Sequence, residues 1–346
     1  MIATKSRQML YASNQLLSSL LRDVSRSFYL TLRALPSAIR PQIGLAYLLA
    51  RTSDTIADTE LVPLDKRLAA LQSFRERILG SRSGSLDFGE LARQQASQAE
   101  QTLLQKCEDS LKLLYSLGAS DRDLVINVLQ TILSGQELDL RRFAAATSTN
   151  IVALRSAQEL DDYTYRVAGC VGEFWTRICR LHLFPTVELD DIFFLSNGVR
   201  FGKGLQLTNI LRDVPLDLRQ GRCYLPSEDL HAHGLNPQDL LQLVNEPKVR
   251  PVYDAYLDQA QAHLAAGWAY TNALPWRSAR LRLACAWPLL IGGQTLGLLR
   301  TGKVLDPDHR LKVGRREVKR ILWRSVIYYP WSNRWAQLFP SACKHH

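Results

Sequence analysis

The chain is predicted to be all-α. Apolar residues recur at helical spacing along nearly its whole length, as in Val125, Val128, Leu129, Ile132 and Leu133, whereas alternating β-branched runs between turn residues are absent. Turn residues punctuate this pattern without opening a long flexible linker. Of 346 residues, 46% are hydrophobic and 22% charged, which supplies material for a sizeable core. A disordered, collagen-like or disulfide-built chain is excluded by the same figures.

Helices are expected over about 6–22, 37–58, 64–80, 90–117, 120–142, 151–181, 187–214, 250–272, 277–300 and 312–326. Breakers sit between most of them. Pro36 precedes the second helix, Pro63 parts the second from the third, and Gly80-Ser81-Arg82-Ser83-Gly84 parts the third from the fourth. Gly118 and Pro185 serve the same purpose further on, Pro226 and Pro247 lie before the eighth helix, and Pro275 ends it. With no internal repeat, residues 1–346 are expected to form a single domain, with a core over about 21–318 and a basic, aromatic tail over 319–346. The longest uncharged run, Leu283 to Leu299, contains Pro288 and Gln294 and is short for a membrane span, so it reads as a buried core helix.

The formal charge of +10 favours anionic partners. Six cysteines (Cys107, Cys170, Cys179, Cys223, Cys285, Cys343) form no C-x-x-C pair and no zinc spacing, as expected of free thiols in a reducing compartment. Met1 to Leu21 lacks the pattern of a secretory signal. A cytoplasmic protein is expected, at most peripheral on a membrane.

Polar residues intrude on the apolar faces at three places. In the helix over 120–142, Gln136 and Asp139 continue the apolar stripe. Either the helix runs out of the core there, or the interior becomes a polar-lined cavity at that end. In Arg51-Thr52-Ser53-Asp54-Thr55-Ile56-Ala57-Asp58, two carboxylates four residues apart share a helical face at about 40°. Like charges so placed destabilise a helix, and they are also what Mg²⁺ uses when it keeps its other positions for water and phosphate. The third intrusion places Gln206, Asn209, Asp213 and Asp217 on one polar line. Pro215 interrupts it, and the helix is expected to kink or end there, aiming Asp217 differently from Asp213. Arg26, Arg51, Arg212, Arg219 and Arg222 lie in or near these segments, and arginine forks suit phosphate oxygens.

Ser25-Arg26-Ser27-Phe28, Asp54 to Asp58, Tyr163-Thr164-Tyr165-Arg166-Val167-Ala168-Gly169-Cys170-Val171-Gly172, Gln206 to Asp213 and Gly221-Arg222-Cys223-Tyr224-Leu225-Pro226 together resemble the squalene/phytoene synthase family, from about Leu21 to Val318. The resemblance implies the isoprenoid-synthase type of fold, a single large helical domain with a central cavity, and head-to-head joining of two prenyl diphosphates. It implies that Asp54 and Asp58 from one wall, and Asp213 and Asp217 from the other, hold Mg²⁺ (with Mn²⁺ as a possible substitute) against the diphosphates, assisted by Asn209. Ser25, Arg26, Arg51, Gln206, Asn209, Arg212 and Arg222 would bind diphosphate, and Tyr163 would stand near the departing group. Gly169 and Gly172 either let helices pack closely or leave room for prenyl chains.

Within the family, the form of Asp54 to Asp58, Cys285-Ala286-Trp287-Pro288 and the basic Lys312-Val313-Gly314-Arg315-Arg316 resemble the squalene branch. That implies two farnesyl diphosphates joined via presqualene diphosphate, then reduction by NADPH held by Lys312, Arg315 and Asn209. Ala57 replaces a commonly acidic residue and Ala284 an expected aromatic one, and no Gly-rich nucleotide fingerprint exists. The alternatives are a dehydrosqualene, phytoene or presqualene diphosphate synthase without the reductive step, and more distantly a non-catalytic relative. In the tail, Lys319, Arg320, Arg324 and Arg334 alternate with Trp323, Tyr328, Tyr329, Trp331 and Trp335. Such a segment either lies on a membrane surface or packs back on the domain. Nothing in it matches a nucleic-acid-binding motif, so no nucleic-acid partner is expected.

Overall fold

A computed structural model describes residues 19–25 and 28–343, and it is helical almost throughout. The expected helix over 6–22 lies mostly outside the described residues; 19–24 are helical. The chain divides into two compact units, Met1–Arg141 with Arg177–Val187, and Arg142–Thr176 with Glu188–His346.

In the first unit, α1 spans Phe28–Ala34 and α2 Arg40–Ala57, followed by α3 (Leu64–Leu79), α4 (Gly89–Arg93), α5 (Gln98–Gln105), α6 (Cys107–Ser116) and α7 (Ala119–Arg142). Pro41 sits in the first turn of α2, where its missing N–H costs nothing. The apolar stripe Leu45, Leu48, Leu49 and Ile56 of α2 is fully buried with Leu71, Phe74 and Ile78 of α3 and Leu111 and Leu114 of α6. The expected helix over 90–117 is instead three pieces. Ser97 adopts extended backbone before α5, and the Gln95 side chain leaves the helical path to donate to Thr59 Oγ1 at 2.7 Å and Leu91 O at 3.0 Å. Side-chain bonds of this kind compete with the helical ladder.

The second unit begins with a pairing that periodicity does not reveal. Strands β1 (Val152–Ala153) and β2 (Arg222–Cys223) are parallel, with Val152 opposite Arg222 and Ala153 opposite Cys223. Gly221 enters β2 with φ +80°, and a Cβ there would stand 2.3 Å from the Thr147 carbonyl oxygen, so only glycine fits. Ser156 then caps α8 (Ala157–Thr164) by accepting from Glu159 N–H. A π-helical turn, Tyr165–Gly169, leads into α9 (Cys170–Leu183), whose last residues belong to the first unit. Next come α10 (Asp191–Arg219), α11 (Ser227–Ala232), two 3₁₀ turns over Pro237–Leu241 and Leu243–Asn245, α12 (Glu246–Ala273) and α13 (Ala279–Thr301). Helix α10 packs along α12, and α12 along α13. Leu283 to Leu299 lies within α13, and among the described residues no helix is long and apolar enough to cross a membrane.

The tail forms α14 (Arg315–Tyr328), α15 (Ser332–Ala336) and α16 (Leu338–Cys343). Its last part packs back on the unit. Trp335 is 1% exposed, stacks on Trp268 at 5.3 Å and donates from Nε1 to Asn272 Oδ1 at 2.7 Å. The guanidinium of buried Arg282 lies 4.6 Å from the Trp276 ring and 5.5 Å from that of Trp335, and donates to the carbonyls of Asn272 and Leu274. Removing the indole would leave both a cavity and a cation without one of its faces. Trp335→Ala is therefore expected to cost about 3–5 kcal/mol of stability in urea unfolding; a change within about 0.5 kcal/mol would show that α15 is not docked as described.

Candidate active site

The first carboxylate pair closes the C-terminal turn of α2. Asp58 occupies the C-cap and its N–H donates to Asp54 O at 2.8 Å, so the two side chains leave one closed turn. Their hydroxyl neighbours turn inward: Thr52 donates to Leu48 O, Ser53 to Ala50 O and Thr55 to Arg51 O. This leaves the carboxylates as the outward polar groups of the turn. Gln136 of α7 donates from Nε2 to Asp54 Oδ1 at 2.5 Å, so the polar continuation of the α7 stripe meets the first pair. Arg51 bonds Glu100 Oε1 at 2.5 Å and stands 4.0 Å from Asp54 Oδ2.

Burial and the charge of Asp58 push the Asp54 carboxyl up to about 6, with Arg51 and the Gln136 bond pulling the other way. Its side chain nevertheless keeps 45% of its area open, so desolvation comes from the surrounding protein while the oxygens remain reachable. Two hard oxygen donors on one turn, the charge of Asp58 raising the proton affinity of Asp54 and its neighbours only partly compensating, form a place that gains from a divalent cation. The pair fits a magnesium ion held by few protein ligands and otherwise by water and phosphate.

The second pair stands on α10. Leu207, Leu211, Val214 and Leu218 turn into the core, while Gln206, Asn209, Asp213 and Asp217 follow the more open face. Of the kink or end expected at Pro215, the end does not occur: α10 continues to Arg219. The Leu211 carbonyl, which Pro215 cannot bond, accepts the Tyr253 hydroxyl at 2.8 Å instead. Asp213 and Asp217 therefore stay on one helix.

Arg212 grips Asp213 with Nε at 3.0 Å and Nη2 at 2.5 Å, and Arg310 adds a bond from Nη2 at 2.9 Å. Burial works against the charged carboxylate, but the two guanidinium groups outweigh it and hold Asp213 below the usual range. A metal ion at Asp213 would have to take over an oxygen now given to arginine. Arg310 stands 97 positions from Asp213 in a loop without periodicity, so no sequence signal links them. Asp308 of the same loop pairs with Arg219 at 3.4 Å.

Tyr163 lies at the end of α8 before the π-helical turn, a distortion frequent at functional sites. Its ring stacks on Tyr224 at 4.9 Å and 25°, with the hydroxyls 3.5 Å apart, and Phe143 meets Tyr224 edge-on at 5.2 Å. Tyr224 was not singled out from its motif, although it directly follows β2, whose pairing with β1 brings it to Tyr163. Arg222 is half-buried on β2 itself. Of the two readings of Gly169 and Gly172, close packing is what the structure displays: a Cβ on Gly172 would lie 1.8 Å from Gly198 O on α10.

The other expected residues are placed as follows. The buried Ser25 hydroxyl donates to the Leu21 carbonyl. Arg26 lies outside the described residues. Lys312 is exposed in the loop two residues beyond Arg310, and Arg315 is exposed as the first residue of α14. Among the described residues no three His, Cys, Asp or Glu side chains converge on one point.

The squalene/phytoene synthase family profile matches residues 21–317. The chain belongs to that family. A presqualene diphosphate synthase of Rhodopseudomonas palustris is 31% identical over 251 residues, covering 72% of this chain and 76% of the relative. A squalene synthase of Schizosaccharomyces pombe is 24% identical over 298 residues, 86% of this chain and 62% of the relative. Among solved structures, the complex of TcSQS with the ligand E5700 superposes with a TM-score of 0.73 at 21% identity, covering 96% of this chain and 97% of that one. The all-α isoprenoid-synthase fold expected from the sequence is thereby shown, and with the family comes an enzyme of prenyltransferase type.

Proposed function

We propose that the protein condenses two farnesyl diphosphates head to head to presqualene diphosphate. The carrying observation is the pair of carboxylate lines, Asp54/Asp58 and Asp213/Asp217, each accompanied by arginines that match phosphate oxygens. Asp54, Asp58, Asn209, Asp213 and Asp217 are the residues proposed to hold magnesium, which when bound neutralises the diphosphate that leaves. Arg51, Arg212 and Arg222 bind diphosphate oxygens in this reading, and Arg310 joins them when it lets go of Asp213. The Tyr163 and Tyr224 hydroxyls offer donors to the leaving oxygen, and their ring faces favour a developing allylic cation. The acceptor double bond then forms the new carbon–carbon bond, and loss of one proton closes the cyclopropane. That proton and one diphosphate are the by-products. The Rhodopseudomonas palustris relative supports this stage by its name.

A second stage, reduction of presqualene diphosphate to squalene by NADPH, is favoured by one observation. Lys312 and Arg315 continue the loop whose Arg310 already touches Asp213, so cofactor phosphates there would lie in the same segment as a partner of the second carboxylate line. The test is mass spectrometry of lipids formed from farnesyl diphosphate and Mg²⁺ with and without NADPH. Squalene only with NADPH supports both stages. A cyclopropyl diphosphate in both tubes removes the second, and a dehydrogenated C30 hydrocarbon in both replaces it.

Peripheral membrane contact is proposed through α14. Trp323, 69% exposed, shares its outer face with exposed Val326 and Ile327, and with Arg316, Lys319 and Arg320 one to two turns earlier. Basic and apolar groups so arranged suit an anionic bilayer surface. Co-sedimentation with vesicles of phosphatidylglycerol and phosphatidylcholine is expected for the native chain and reduced at least about fivefold by Trp323→Ser with Ile327→Ser; equal binding by the variant would remove this proposal.

A further inference from the structure

Pro215 falls midway between the two carboxylates of α10, a place where a helix can least tolerate losing a hydrogen bond if both side chains are to keep one orientation. The ring removes the N–H that would bond Leu211 O, and it crowds that carbonyl. Left to water, the turn would open or bend, and Asp217 would swing relative to Asp213. The helix is nevertheless continuous.

The missing donor comes from α12. Tyr253 is 0% exposed, and its hydroxyl reaches Leu211 O at 2.8 Å. A buried phenol needs a partner, and a buried carbonyl without one costs stability, so each group satisfies the other. Burial also raises the Tyr253 hydroxyl far above its ordinary range, so it remains a donor at every working pH. Its ring is fixed in turn by the Arg250 guanidinium 5.7 Å away. Arg250 also donates to Leu299 O at 2.9 Å and to Gly302 O, at the end of α13, from which the loop bearing Arg310 departs. Asp213 is thus referenced to α12 twice, through the backbone of its own helix at Leu211 and through the loop that supplies Arg310.

We propose that Tyr253 is a positioning residue for the second carboxylate line: its hydroxyl replaces the donor that Pro215 lacks and so keeps Asp213 and Asp217 on one unbroken helical face. The functional consequence rests on the reading that this line takes part in magnesium and diphosphate binding. The structural part does not.

A cycle of Tyr253→Phe, Pro215→Ala and the double variant separates the two. Tyr253→Phe is expected to raise the Mg²⁺ concentration for half-maximal rate about tenfold and to lower hydrogen-exchange protection of the Leu216–Arg219 amides by a similar factor, the effect of one lost buried hydrogen bond. Pro215→Ala should resemble the native protein. The double variant should recover to within about threefold, because the backbone N–H that alanine restores at this position can bond Leu211 O directly. Loss of generic core packing at Tyr253 would not be rescued from position 215. A double variant no better than Tyr253→Phe, or a Tyr253→Phe protein like the native one in exchange, overturns the proposal. So does rescue of exchange without any shift in Mg²⁺ dependence, whereas a native enzyme indifferent to Mg²⁺ would instead overturn the functional reading and leave the exchange cycle to judge Tyr253.

Discussion

Asp213→Ala is expected to lower the turnover of farnesyl diphosphate by about 10²–10³-fold or more while leaving KM unchanged or reduced. The asymmetry follows from what surrounds the carboxylate. Arg212 and Arg310 both direct hydrogen bonds to Asp213. Removing the carboxylate sets both guanidinium groups free for the diphosphate, so ground-state binding is kept or strengthened. What is lost is the anionic oxygen proposed to hold magnesium against the leaving group. Steady-state kinetics at saturating Mg²⁺ checks this; turnover above about a tenth of native would show that Asp213 is an ordinary ion-pair partner of two arginines.

Gly172→Ala is expected to destabilise the second unit by about 3 kcal/mol or more. The added Cβ would stand 1.8 Å from Gly198 O and 2.4 Å from its carbonyl carbon, and both contacts are backbone, which cannot rotate aside. The same seam is tight at Gly202, where a Cβ would lie 2.1 Å from Ala168 O. Relief requires α9 and α10 to separate, and α10 carries Asp213 and Asp217, so activity should fall with stability. Gly118→Ala is the control: nothing lies within 4 Å of its Cβ, and the change should stay within about 1 kcal/mol of native. Urea unfolding of the two variants side by side measures the difference, and equal midpoints would mean that the helices are not in backbone contact.

Where a feature depended on one helix, it could be read from the chain. The i, i+4 relation of Asp54 and Asp58, the polar line from Gln206 to Asp217 and the polar end of the α7 stripe needed only helical geometry, and Gln136 does meet Asp54. Features that depended on two distant segments could not be read this way. Glu100 on Arg51, Arg310 on Asp213 and Tyr224 on Tyr163 are pairings over 49, 97 and 61 positions, and nothing local marks Glu100, Arg310 or Tyr224 as the partner. The helix end expected at Pro215 is the instructive error. Local chemistry favours a break there, but a hydroxyl from another helix supplies the absent bond, and tertiary structure overrides propensity. The strands β1 and β2 escaped notice because two residues each cannot establish an alternating pattern. The tail packs back on the unit through Trp335, while Trp323 is exposed.

The central claim is head-to-head condensation, and the most direct measurement is the stoichiometry of the reaction without NADPH. Purified protein with farnesyl diphosphate and Mg²⁺ should release one inorganic diphosphate for every two substrates consumed and accumulate a C30 cyclopropylcarbinyl diphosphate. Release of one diphosphate per substrate with a C15 alcohol or cyclic C15 hydrocarbon as product would contradict the account.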